Sequence, residues 1–132
     1  METALIPADF IACLCTDTDA VWEIDLDTLE TIIWHDTTTP ELVNTSIDLN
    51  KLLLMYLDRF IHHADREKCL TEMSPESLRA LASGDKKSKR FDIRLLSRET
   101  GFEWHESSCQ VFEHSNGSGQ TVLFKSRCIN AH

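Results

Sequence analysis

The sequence predicts an α+β domain: a five-stranded antiparallel sheet, helices crossing between its second and third strands, and one N-terminal helix ahead of them. Three observations carry this. Apolar residues alternate with period two near residues 20–35 and again from residue 88 onward, whereas between residues 48 and 83 they recur at helical spacing. The chain has 132 residues, 42% of them hydrophobic, and a chain of this size buries roughly two-thirds of its unfolded surface, enough for one core.

Each element has its own warrant. After Pro7, residues Phe10, Ile11 and Leu14 share a helix face over 8–14, and the cluster Thr16-Asp17-Thr18-Asp19 ends that helix because its side chains compete for backbone hydrogen bonds. Ala20, Trp22, Ile24 and Leu26 alternate with Val21, Glu23 and Asp25, which makes 20–26 a strand; Asp27-Thr28 turns it into a second strand over 29–35. A polar stretch with Pro40 follows, and helical spacing returns from Asp48 to residue 57. Asp65 is placed to cap a helix starting at Arg66, with Glu67 near its positive end. Ser74-Pro75 restarts the helix, which runs to Ser83 before Gly84. The last third reads as three strands, 88–97, 102–114 and 120–129, joined by turns at Arg98-Glu99-Thr100-Gly101 and Asn116-Gly117-Ser118-Gly119. The division expected is a cap helix over 1–18 and a single body over 19–132.

Charge narrows the partners. Twenty-two acidic against thirteen basic residues give a net charge of −9, which repels nucleic acid and anionic membrane, since phosphate binding needs a cationic face. Cys13, Cys15, Cys69, Cys109 and Cys128 are odd in number and form no paired C-x-x-C, so reduced thiols and a cytoplasmic location are expected. METALIPADF does not resemble a signal peptide, and the apolar run 52–57 is too short to cross a bilayer.

Local wording points to a family. Ala20-Val21-Trp22-Glu23-Ile24-Asp25-Leu26 resembles the opening strand of PAS domains, often W-E-x-D-L. Phe60-Ile61-His62-His63-Ala64-Asp65-Arg66 is similar to the His-Pro-x-Asp-Arg that leads into their long helix. Asp92-Ile93-Arg94-Leu95 and Glu99-Thr100-Gly101-Phe102-Glu103-Trp104 resemble the pair E-Y-R-L and D-G-x-Y-R-W. The motifs stand in family order over roughly residues 19–130, with three departures: His63 for proline, Thr100 for a turn glycine, and Cys128-Ile129-Asn130 for the terminal Asp-Ile-Thr. The resemblance implies a PAS-like sensor domain of a signalling protein, such as a two-component kinase or a cyclic-dinucleotide enzyme, with no catalytic apparatus of its own.

Strand alternation places Trp22, Ile24, Phe91, Ile93, Leu95, Val122, Phe124 and Ser126 on one face, and the family register adds His105, Ser107 and Cys109. Of these, Trp22, Ile24, Ile93, Leu95, His105, Ser107, Cys109, Phe124 and Ser126 are the candidate ligand-binding set: apolar walls with a few polar anchors. The alternative is a packed core whose polar groups find internal partners. No cofactor is expected: Cys69 lacks the Asn-Cys-Arg-Phe-Leu-Gln setting of flavin-binding relatives, and 66–83 holds no histidine for haem. No metal is expected either, because adjacent His62 and His63 rarely converge on one ion.

Val21, Leu96, Phe102, Trp104, Phe112 and Leu123 fall on the other face, too much apolar surface to leave wet. A homodimer through that face and the N-terminal helix is expected, or else a monomer closed by the helix alone. Arg94 is expected to stack on Trp104. A competing function is a small cone-type enzyme resembling ketosteroid isomerases, with His105 and an acid such as Asp25 moving a proton. Helices ahead of the whole sheet would favour the enzyme; helices inside it favour the sensor.

Overall fold

Alternation in the first third becomes a hairpin. Its strands, β1 (Ala20–Asp25) and β2 (Glu30–Asp36), pair antiparallel in the computed structural model, which describes residues 7–97, 100–113 and 119–129. Asp25 shapes the turn by accepting from the N–H groups of Asp27 at 2.8 Å and Thr28 at 3.3 Å. Farther along, Trp22 faces Ile33 while Val21 faces His35, so Trp34 is an extra residue on β2. A bulge of this kind shifts the alternation by one. Thr31 and Ile33 point to the buried side before it, and Asp36, not His35, is buried after it.

The sheet has six strands, which corrects the expected five. The additional strand, β3 (Ser46–Asp48), pairs with the edge of β2 through Glu30–Asp48, Thr31–Ile47 and Ile32–Ser46. Three residues carry too little alternation to read as a strand. Asp48 then caps α2 (Leu49–Arg59), accepting from the N–H groups of Asn50 at 3.0 Å and Lys51 at 3.3 Å. Leu49, Leu52, Leu53, Tyr56 and Leu57 form the buried stripe of that helix.

Asp65 is the second correction. It stands ahead of α3 (Arg66–Met73), but its side chain makes no capping bond. Its carboxylate instead accepts from the Arg94 backbone N–H at 2.8 Å and from Nε and Nη2 of Arg94 at 2.9 and 3.0 Å. A bidentate guanidinium is a stronger partner than one helix N–H. His62 caps the preceding 3₁₀ turn, His63–Asp65, accepting from the Ala64 N–H at 3.0 Å. Ser74 does cap α4 (Pro75–Ser83), bonding the Ser77 N–H at 3.2 Å, as the Ser-Pro pair predicts.

The last third folds as read. β4 (Ser88–Ser97), β5 (Gly101–Glu113) and β6 (Gln120–Cys128) form an antiparallel meander. Gly101 opens β5 at φ +83°, where a side chain would be strained. Arg98 and Glu99 of the expected first turn, residues 116–118 of the second, His114 and Asn130 lie outside the described residues.

Strand order is β3-β2-β1-β6-β5-β4, so the N-terminal hairpin closes beside the C-terminal strand. Helices α2 to α4 cover one face, burying Trp22, Ile24, Leu52, Met73, Leu78, Ile93 and Val122 among others. Each such side chain is worth about 1.5–3 kcal/mol when fully buried. The preceding helix, α1 (Ala8–Cys15), lies on the opposite face, where Ile11, Leu14 and Cys15 pack against Val21, Leu123, Trp34 and Phe112. No described helix is long and apolar enough to cross a membrane.

Candidate functional site

Because of the β2 bulge, a carboxylate enters an apolar face. Asp36 is 2% exposed, and its oxygens are acceptors only, so burial requires donors. Four are supplied. Trp22 Nε1 donates at 3.0 Å, the backbone N–H groups of Thr38 and Thr39 donate at 2.9 and 3.0 Å, and the Tyr56 hydroxyl donates from α2. Burial, and then the Asp36 charge, push the Tyr56 phenol well above its usual pKa, so it stays a donor. The Trp22 ring also stacks at a tilt on Phe124, 4.6 Å between centroids, and meets Tyr56 edge-on at 5.2 Å.

A second polar group lies on β5 and β6. His105 is 7% exposed, with Nδ1 3.2 Å from the Ser126 hydroxyl and 4.0 Å from an Asp19 carboxylate oxygen. Burial lowers its pKa more than Asp19 raises it, so the ring is neutral near pH 7. Asp19 is held by the Cys128 N–H at 2.6 Å.

Between these groups lies a small cavity of about 30 Å³, walled by Trp22, Asp36, Tyr56, Met73, Ile93, Phe124 and their neighbours. That is space for a water or two, not a metabolite. A cleft of about 340 Å³ opens on the other side of the same wall, lined by Thr37, Phe60, Leu96, Ser97, Glu103 and Cys128. Asp19, Thr38 and His105 border both spaces.

Six of the nine candidate residues, Trp22, Ile93, Leu95, His105, Phe124 and Ser126, converge on the cavity. Ile24 is fully buried deeper in the core, away from it. Cys109 packs its thiol 3.7 Å from the Met73 sulfur, and burial pushes its pKa up to about 12. Ser107 is fully buried, off the cavity, and its hydroxyl meets no hydrogen-bond partner among the described residues. Asp36, Tyr56, Asp19 and Thr38 were missed. The available signal was Tyr56 itself: a phenol on the buried stripe of a helix needs an internal acceptor.

The outer face divides. Val21 and Leu123 are covered by α1, whereas Leu96, Phe102 and Trp104 stay 38%, 46% and 40% exposed. Arg94 stacks on Trp104 as expected, its guanidinium carbon 4.7 Å from the ring centroid.

Comparison with known proteins bears on this geometry. No protein-family model matches the sequence, and no curated protein matches it either. Solved structures do. A sensory box histidine kinase/response regulator from Burkholderia thailandensis aligns with TM-score 0.56 at 15% identity over 91% of this chain and 83% of that one. The N-terminal domain of a diguanylate cyclase with PAS/PAC sensor from Marinobacter aquaeolei gives 0.55 at 16%, covering 83% and 94%. A PAS domain from Colwellia psychrerythraea gives 0.55 at 17%, covering 92% and 94%. The chain has the PAS fold. Among the described residues α1 alone precedes the sheet, while α2, α3 and α4 lie between its third and fourth strands, inside the sheet's sequence, which is not the order of the cone-type enzyme.

Proposed function

We propose that the chain is a sensory and interaction module of a signalling protein, cytoplasmic and without catalysis of its own. Segment 1–18 would serve as its cap and 19–132 as the sensing body. The carrying observation is the shared wall: Asp19, Thr38 and His105 stand between the small cavity and the open cleft. A small molecule that displaces the His105 ring would merge the two spaces and take over the bond to Ser126. It could shift sheet and helices only through differential affinity for the closed and opened arrangements. Signalling neighbours of the same fold support the setting; a histidine kinase and a diguanylate cyclase are the kinds of parent it suits. Homodimerisation through Leu96, Phe102 and Trp104, beside α1, completes the reading, since these side chains form the uncovered part of the outer face.

The test is a thermal-shift screen of wild type and His105→Leu against a metabolite library. A compound that stabilises wild type and not the variant is expected. If no compound stabilises wild type and the variant is equally or more stable, His105 is a core residue and the module works through protein contacts alone.

A further inference from the structure

Glu103, His105 and Cys128 converge at the mouth of the cleft, each offering one ligand atom, and these atoms lie within 4.8 Å of one another. Strand pairing, not sequence spacing, unites them. His105 faces Cys128 directly across β5 and β6, and Glu103 sits two residues earlier on the same side of β5. Ligands spread over residues 103–128 of two strands leave no metal-binding spacing in the sequence.

We propose that Glu103, His105 and Cys128 bind a divalent first-row transition-metal ion of the zinc type, with a fourth position open to the cleft. One nitrogen, one sulfur and one carboxylate oxygen make a borderline-soft donor set that suits zinc and excludes magnesium or calcium, which take oxygen ligands. Three protein ligands and one open position is the arrangement of accessible rather than closed zinc sites. Around a tetrahedral zinc, ligand atoms stand about 3.3–3.8 Å apart, given bonds of about 2.0–2.3 Å. The set therefore has to close by about 1 Å, which a rotamer change of the partly exposed Glu103 and Cys128 side chains can supply. Asp19 stands beside the site: its carboxylate bonds the Cys128 N–H at 2.6 Å and lies 4.0 Å from His105 Nδ1, where it can orient the ring. The cleft of about 340 Å³ gives the ion a path in.

Reduced protein titrated with Co²⁺, followed by Zn²⁺ competition, tests this. Wild type should bind one ion per chain and show a thiolate-to-metal charge-transfer band that zinc abolishes. Cys128→Ser should lose the band, and Glu103→Gln should weaken binding more than about tenfold, since even an outer-shell partner costs that much. A Cys13→Ser/Cys15→Ser variant should keep the band, because those thiols lie on α1. Zinc should also protect Cys128, and not Cys13, from alkylation in unaltered protein, a readout that needs no variant to fold. Absence of the band, its survival in Cys128→Ser, or unprotected Cys128 would overturn the site. The ligand screen turns on His105→Leu and the metal titration on Cys128→Ser and Glu103→Gln, so the two can fail separately.

Discussion

The two faces of the sheet solve the same problem differently. On the inner face three helices cover the apolar side chains of β1, β4, β5 and β6, and a buried carboxylate among them, Asp36, receives four donors. On the outer face a single eight-residue helix covers Val21 and Leu123 and leaves Leu96, Phe102 and Trp104 half wet. The contrast teaches where stability and communication reside. Polar groups inside are tied down because an unmade bond there costs about 1–3 kcal/mol. Apolar groups outside tolerate exposure, which is what a surface for another chain requires.

The largest effect should come from breaking the inner network. Asp36→Ala strands the Trp22, Tyr56, Thr38 and Thr39 donors together, and we expect a loss of about 3–5 kcal/mol by chemical denaturation. A loss under about 1 kcal/mol would show that this polar cluster does not organise the face.

Ser107 sharpens the comparison from the opposite side. Its buried hydroxyl has no partner among the described residues, so Ser107→Ala should stabilise the domain by about 1 kcal/mol. Destabilisation by a similar amount would mean the hydroxyl is bonded in solution.

Asp65 gives a pH dependence. Its hydrogen bond to Arg94 holds the carboxyl below the ordinary 3.8. A depressed folded-state pKa contributes stability that is present above the unfolded value and is lost as pH falls through the folded one. Wild type should therefore exceed Asp65→Asn in melting temperature at pH 7, with the gap closing as pH drops below 3.8. A gap that is constant with pH would assign the difference to packing.

The smallest effect on stability belongs outside. Phe102→Glu should change folding stability by less than about 1 kcal/mol, as surface substitutions do. The same change should convert the proposed dimer to monomer in sedimentation equilibrium. Identical association in both proteins would remove the outer face as the interface.

Most of this frame was legible because it rests on periodicity. The strand at 88–97 alternates buried and exposed residues, those at 20–25 and 120–128 are apolar enough to read as strands covered on both faces, and Ser74-Pro75 marks a helix start by side-chain chemistry. What escaped was local irregularity decided by tertiary partners. Strict alternation along β2 puts His35 inside, and only pairing with β1 reveals that Trp34 is extra and that Asp36 takes the inner place. Asp65 has the right spacing for a cap, yet Arg94, distant in sequence, outbids the helix N–H groups. β3 exists because β2 offers it an edge, a cause absent from residues 46–48 themselves. Among the candidate site residues the same logic holds: alternation, and the family register for His105, Ser107 and Cys109, pointed to one face, and the helices packed against it decided that Cys109 meets Met73 while His105 meets the cavity.

The central claim is that the wall made by His105 yields to a small molecule. Native mass spectrometry of wild type and His105→Leu, each mixed with compounds that raise the wild-type melting temperature, tests it most directly. One bound molecule per wild-type subunit is expected, and none on the variant. Equal binding to both, or a screen that offers no stabilising compound at all, would contradict it.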